Sequence, residues 1–108
     1  MWFVFPQIAG LGRTEMARRY AIESLEEARA YLAHPVLGTR LRECAETVLA
    51  VKGSTAEEIL GDPDCLKLRS CATLFDLASL ADSVFRRLLD RYYDGRQCER
   101  TLAEVQGR

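Results

Sequence analysis

The stretch DSVFRRLLDRYYDG, residues 82–95, decides the fold class. Val84, Phe85, Leu88, Leu89 and Tyr92 recur at the three- and four-residue spacing that lines up one face of an α-helix. Arg86, Arg87, Asp90 and Arg91 fall on the remaining positions. Asp82 or Ser83 can accept the free backbone N–H groups at the start, and Gly95 can adopt the left-handed turn that closes the end. One such helix is marginal alone, so its apolar face calls for partners of the same kind.

The preceding sequence supplies them. CLKLRSCATLFDLASLA, residues 65–81, reads as a longer helix opened by the DPD turn, with Leu68, Cys71, Ala72, Phe75 and Ala78 or Leu77 on its apolar side. STAEEILG, residues 54–61, predicts a short helix with a capping box of Ser54 and Glu57 and a stop at Gly61. From Pro35 to Val51 the apolar positions are Leu37, Leu41, Cys44, Val48 and Leu49, with Gly53 beyond the end. SLEEARAYLAHP carries a second box, Ser24 with Glu27, and a stripe of Leu25, Ala28, Tyr31 and Leu32. Thr14 can cap a short helix through Arg18 or Tyr20, and Thr101 with Glu104 predicts a third box in a short closing helix. The expectation is an all-α fold: residues 1–108 as one compact domain of five or six short helices.

The opening run MWFVF reads differently. Trp, Phe and Val crowd a helical backbone, and Pro6 disfavours helix at Phe5, so this segment is expected to be extended and to cross the helical core. Burying Trp2, Phe3 and Phe5 contributes roughly 1.5–3 kcal/mol per side chain. The run ends after five residues, too short for a signal peptide or a membrane span. A charged α-ammonium on Met1 beside buried aromatics is costly, and the segment makes most sense with more chain before it.

Composition excludes several function classes. With 48% hydrophobic and 29% charged residues the chain is globular rather than disordered. Its net charge of −1 lacks the basic excess of a nucleic-acid-binding domain, although Arg18–Arg19 and Arg86–Arg87 with Arg91 cluster locally. Neither nucleic acid nor membrane is therefore expected as a partner, and a cytoplasmic location follows. Cys44, Cys65, Cys71 and Cys98 contain no C-x-x-C pair, so no metal site is expected, and Cys44 and Cys71 fit small buried hydrophobes.

From MWFVFPQIAGLG through MARRYAI, EARAYLAHPVLGTRLREC, AEEILGDPDCLKLRSCATLF and LDRYYDG, the sequence closely resembles a bacterial family catalogued as domain of unknown function 1810. The resemblance spans essentially the whole chain and implies a mainly α-helical protein. Members sometimes carry the label "calpastatin". That name belongs to a long disordered protease inhibitor, a function at odds with the capped helices here. Members usually begin earlier, with a segment ending in a SHWMWF-like run, so the resemblance implies a shortened front with Met1 as the interior methionine. Where the family commonly reads LKFRSSMTLF, this chain has LKLRSCATLF, with Cys71 and Ala72 in place of Ser and Met.

Candidate chemistry is sparse. GLGRTE could hold an anion at a helix N-terminus, but Glu15 stands where a dinucleotide fingerprint has its third glycine. His34 is the one side chain suited to proton transfer near neutral pH, conceivably with Cys44, yet between two helices it can equally serve as a cap. Lys67 lies in a D-x-x-K pattern shared with the family and pairs with Asp64 on a helix face. Pointing instead into a cleft, Lys67 could hold an anionic ligand with Trp2, Gln7 and Tyr20 as neighbours, although Trp2 and Tyr20 also suit the core. No cofactor is implied. A binding module for a small molecule or a protein partner is the first reading. The second is an enzyme acting on a nucleotide or ADP-ribose-like ligand, from a looser likeness of HPVLGTRLREC and AEEILGDPD to helical domains linked with NAD and ADP-ribose metabolism.

Overall fold

Six helices run through the described residues (5–11, 21–61, 64–79 and 83–107) of this computed structural model: α1 (Leu25–Ala33), α2 (Leu37–Ala50), α3 (Ala56–Leu60), α4 (Asp64–Ala78), α5 (Val84–Tyr93) and α6 (Glu99–Gln106). The all-α expectation holds. α4 is the hub, packing against α1, α3, α5 and α6, while α2 packs against α1 and α5. A Cα radius of gyration of 12.7 Å is that of one packed domain of this length.

The central position of α4 explains why its burial exceeds a stripe. Every residue from Ser70 to Phe75 is buried, including Ser70, Thr73 and Leu74, which the periodicity does not single out. The two hydroxyl groups are satisfied within the helix. Ser70 Oγ donates to the Leu66 carbonyl at 3.2 Å, and Thr73 Oγ1 donates to that of Arg69 at 2.9 Å. Phe75 joins three helices, its ring 5.5 Å from that of Tyr31 in α1 and 5.6 Å from that of Phe85 in α5.

Before α1, residues 5–8 and Ile22 contribute to the core. Phe5 and Ile8 are buried, and Ile8 forms a parallel bridge with Ile22. Ile22 N–H donates to the Gln7 carbonyl and Ala9 N–H to the Ile22 carbonyl, both at 2.8 Å. Trp2, Phe3 and the Thr14-capped helix lie outside the described residues.

Helix starts depart from expectation in three places. At α1, Ser24 Oγ accepts the Glu27 N–H as predicted, but Glu27 reaches back to the N–H of Glu23 rather than of Ser24. The box of α3 is Thr55 with Glu58, one residue later than Ser54 with Glu57, a shift that buries Ala56. α6 starts at Glu99 with Cys98 as its N-cap, so Thr101 is no cap but a fully buried residue of the first turn.

In α2 the buried residues are Gly38, Leu41, Ala45 and Val48. Leu37 is exposed, and Cys44 and Leu49 are half-buried, because the close α1 contact forms at Gly38. Cys71 and Ala72, the positions that depart from the family pattern, are wholly buried in α4. No helix among the described residues is long and apolar enough to cross a membrane.

Candidate functional site

Where α1, α2, α4 and α5 meet, a cleft of about 520 Å³ opens to solvent. Leu32, Ala33, Ala78, Val84 and Phe85 give it an apolar lining. Arg29, Arg42 and Arg87 come to it from three different helices. Helix periodicity makes this possible, because Arg29 of α1 and Arg42 of α2 stand beside the apolar stripe rather than opposite it.

The three guanidiniums are not equivalent. Arg42 Nη1 donates to the Leu32 carbonyl at 3.0 Å, placing positive charge near the C-terminus of α1, where the helix dipole favours it. Arg87 Nη2 pairs with Glu46 Oε1 at 3.3 Å, linking α5 to α2 across exposed surface. Among the described residues Arg29 makes no hydrogen bond or ion pair, so its donors remain available.

The hydroxyl groups in the cleft are committed. Ser79 Oγ donates to the Phe75 carbonyl at 2.7 Å. Ser83 Oγ donates to Asp76 Oδ1 at 2.8 Å and accepts the Arg86 N–H at 3.1 Å as the α5 cap. With neither histidine nor cysteine in the lining, the cleft has the parts of an anion receptor rather than of a nucleophile and its base.

His34, Gln7 and Lys67, singled out from sequence, do not line this cleft. His34 is an exposed cap: its Nδ1 accepts the N–H groups of Val36 and Leu37, both at 3.1 Å, at the start of α2. Those bonds occupy the nitrogen that a base would need. Lys67 pairs with Asp64 at 3.4 Å on a part-exposed face of α4. Gln7 is buried, and its Nε2 has no hydrogen-bond partner among the described residues. Trp2 and Tyr20 lie outside the described residues.

A second locus escaped sequence reasoning. Arg69, Ser70 and Thr73 of α4 clamp the segment before α6: Arg69 donates to the carbonyls of Arg96 (2.9 Å) and Gln97 (2.8 Å), and Thr73 Oγ1 accepts the Cys98 N–H at 2.8 Å. Ser70 Oγ meets Cys98 Sγ at 3.3 Å. The sequence reads Thr101 as a cap with Glu104, and nothing in its spacing ties Cys98 to Arg69, Ser70 and Thr73.

The model of the family "Protein of unknown function (DUF1810)" matches residues 1–105. The chain belongs to this family. A crystal structure of the conserved hypothetical protein Rv1873 from Mycobacterium tuberculosis is similar at 52% identity with a TM-score of 0.94, over 97% of this chain and 75% of that one. No curated protein matches the chain. Neither the family nor that structure carries a stated activity, so the geometry of this DUF1810 domain is the ground for a functional reading.

Proposed function

We propose that this domain is a cytoplasmic binding module for a small anion with an apolar body, seated in the arginine-rimmed cleft. The observation that carries the reading is Arg29, an uncommitted guanidinium beside an apolar lining and a fixed second guanidinium on Arg42. A volume of about 520 Å³ falls within the range of small-molecule sites, roughly 300–1,000 Å³. Arginine presents a planar fork of donors that matches a carboxylate or phosphate, and the low polarity beneath strengthens that contact. Four free cysteines suit a reducing compartment.

Binding is favoured over catalysis because Ser79 and Ser83 spend their hydroxyl protons on the fold. Titration calorimetry against nucleotides, ADP-ribose and aromatic or aliphatic carboxylates tests the reading. At least one of these is expected to bind, and Arg29→Glu to weaken it about tenfold or more without altering the melt, as loss of a charge-assisted contact costs roughly 1.5–3 kcal/mol. No binding at millimolar concentration, or equal binding by Arg29→Glu, overturns it. Turnover of a nucleotide in the same assay would establish the enzyme reading instead.

Gln7 supports a second location for a ligand, the grouping of Trp2, Gln7, Tyr20 and Lys67, since a buried amide without a partner is costly. Weakening by Lys67→Ala, with Arg29→Glu neutral, would place the ligand there.

A further inference from the structure

Cys98 stands where a helix N-cap normally places an oxygen acceptor, and the segment that presents it is held by three side chains of α4. A cavity of about 310 Å³ reaches the sulfur, lined also by Arg69, Ser70, Glu99 and Arg100. Independently of the helix terminus, Thr101 presents an unmet polar group. Its Oγ1, in the turn that follows Cys98, is wholly buried and has no hydrogen-bond partner among the described residues. A buried hydroxyl left without an oxygen or nitrogen acceptor costs about 1–3 kcal/mol. An oxygen atom added to the neighbouring sulfur would supply that acceptor.

We propose that Cys98 is a peroxide-modification site, where a small hydroperoxide enters this cavity and oxidises the sulfur to a sulfenate held by Ser70, Thr101 and the first turn of α6. The Cys98 thiolate attacks the nearer peroxide oxygen. The S–O bond forms as the O–O bond breaks, sulfur gives up two electrons, and the departing hydroxide takes the proton of the new S–OH group, leaving a sulfenate and water. Arg69 and Arg100 put positive charge on the wall of the cavity in which that anion is released, with Glu99 opposing them.

The thiol itself is tuned in the same direction. Half-burial pushes the Cys98 thiol up, but the hydrogen bond from Ser70 and the backbone N–H groups of the first turn of α6 act against it, and the net shift is downward. The other thiols contrast with it. Cys65 and Cys71 are buried, and desolvation pushes Cys71 far up. Cys44 is half-buried like Cys98, yet lies mid-helix in α2, which makes it an internal control.

The test uses the full chain under limiting hydrogen peroxide with dimedone trapping, read by peptide mass spectrometry, beside a pH profile of iodoacetamide alkylation. Cys98 is expected to carry the sulfenate adduct severalfold more than Cys44, because its thiol ionisation is pushed down and a larger share of it is thiolate. Its alkylation midpoint should lie below the ordinary cysteine value of about 8.5. Thr101→Val should cut sulfenate trapping at Cys98 while leaving Cys44 unchanged, and Ser70→Ala, placed on the other side of the sulfur, should do the same should Thr101→Val fail to fold. Equal labelling of Cys44 and Cys98, a Cys98 midpoint at or above the ordinary cysteine value, or trapping indifferent to whichever of the two variants folds overturns the proposal.

Discussion

Gly38 lies hard against the carbonyl of Leu32: a Cβ built on Gly38 would stand 2.1 Å from Leu32 O and 2.7 Å from its carbon. The contact joins the start of α2 to the last turn of α1, and both partners are backbone, so neither can swing aside. Gly38→Ala must therefore part the two helices that form one wall of the arginine cleft. The expected cost is about 3 kcal/mol, at the upper end of overpacking effects, which lowers the melting temperature by about 10 °C or more. Differential scanning calorimetry checks this, and a variant melting within about 2 °C of the parent would mean that the helices stand further apart.

The α3 cap offers a one-residue discrimination. Thr55 Oγ1 accepts the Glu58 N–H at 3.1 Å, and Glu58 Oε1 accepts the Thr55 N–H at 2.8 Å. Thr55→Ala should cost about 1 kcal/mol, as typical N-cap losses do, while Ser54→Ala should be nearly neutral. Urea denaturation of the two variants side by side reads the difference, and the reverse order would restore the earlier register.

That shift shows what the sequence carries and what it withholds. Periodicity in Val84, Phe85, Leu88 and Leu89 exposes a helix with one face to bury, and all four are buried. In α4 the same signal finds Leu68, Cys71, Ala72 and Phe75, all buried, but misses Ser70, Thr73 and Leu74, because a helix covered on several sides buries more than one stripe. GSTAEE contains two overlapping boxes, and only packing of Ala56 selects between them. The cleft was illegible for a different reason. Arg29, Arg42 and Arg87 are 13 and 45 residues apart in succession, look like solvated helix positions, and meet only through the α1–α2 and α2–α5 packings. His34 was legible as a pair of alternatives, and the structure shows the cap.

Tyr93 gives an alkaline prediction. Its hydroxyl donates to the Cys65 carbonyl, tying α5 to the first turn of α4, and burial pushes its ionisation well above the ordinary tyrosine value. Through this residue the folded state keeps a proton that the unfolded chain releases above about pH 10, so stability falls as pH rises past that value. Tyr93→Phe removes this residue's share and should flatten the decline between about pH 10 and pH 11 while lowering stability at neutral pH by about 1 kcal/mol. Chemical denaturation at stepped pH measures both. A decline as steep in Tyr93→Phe as in the parent would assign it to other groups, of which Tyr31, also shifted upward, is the first to examine.

The end of α2 is closed by α5 rather than by its own sequence. Tyr92 OH lies 2.7 Å from the Val48 carbonyl and 2.9 Å from that of Val51, and Arg91 Nη2 donates to the same Val51 carbonyl at 2.9 Å. The last carbonyls of a helix have no partner within it, and a cation there also opposes the negative end of the dipole. The Arg91 guanidinium lies 5.5 Å from the Tyr92 ring centroid, so the two side chains brace each other. Removing one should therefore weaken the other. Tyr92→Phe and Arg91→Ala are each expected to cost about 1 kcal/mol, and the double variant less than their sum, by about 0.5 kcal/mol or more. A double-mutant cycle in urea measures that coupling, and strict additivity would mean that the two residues close α2 independently.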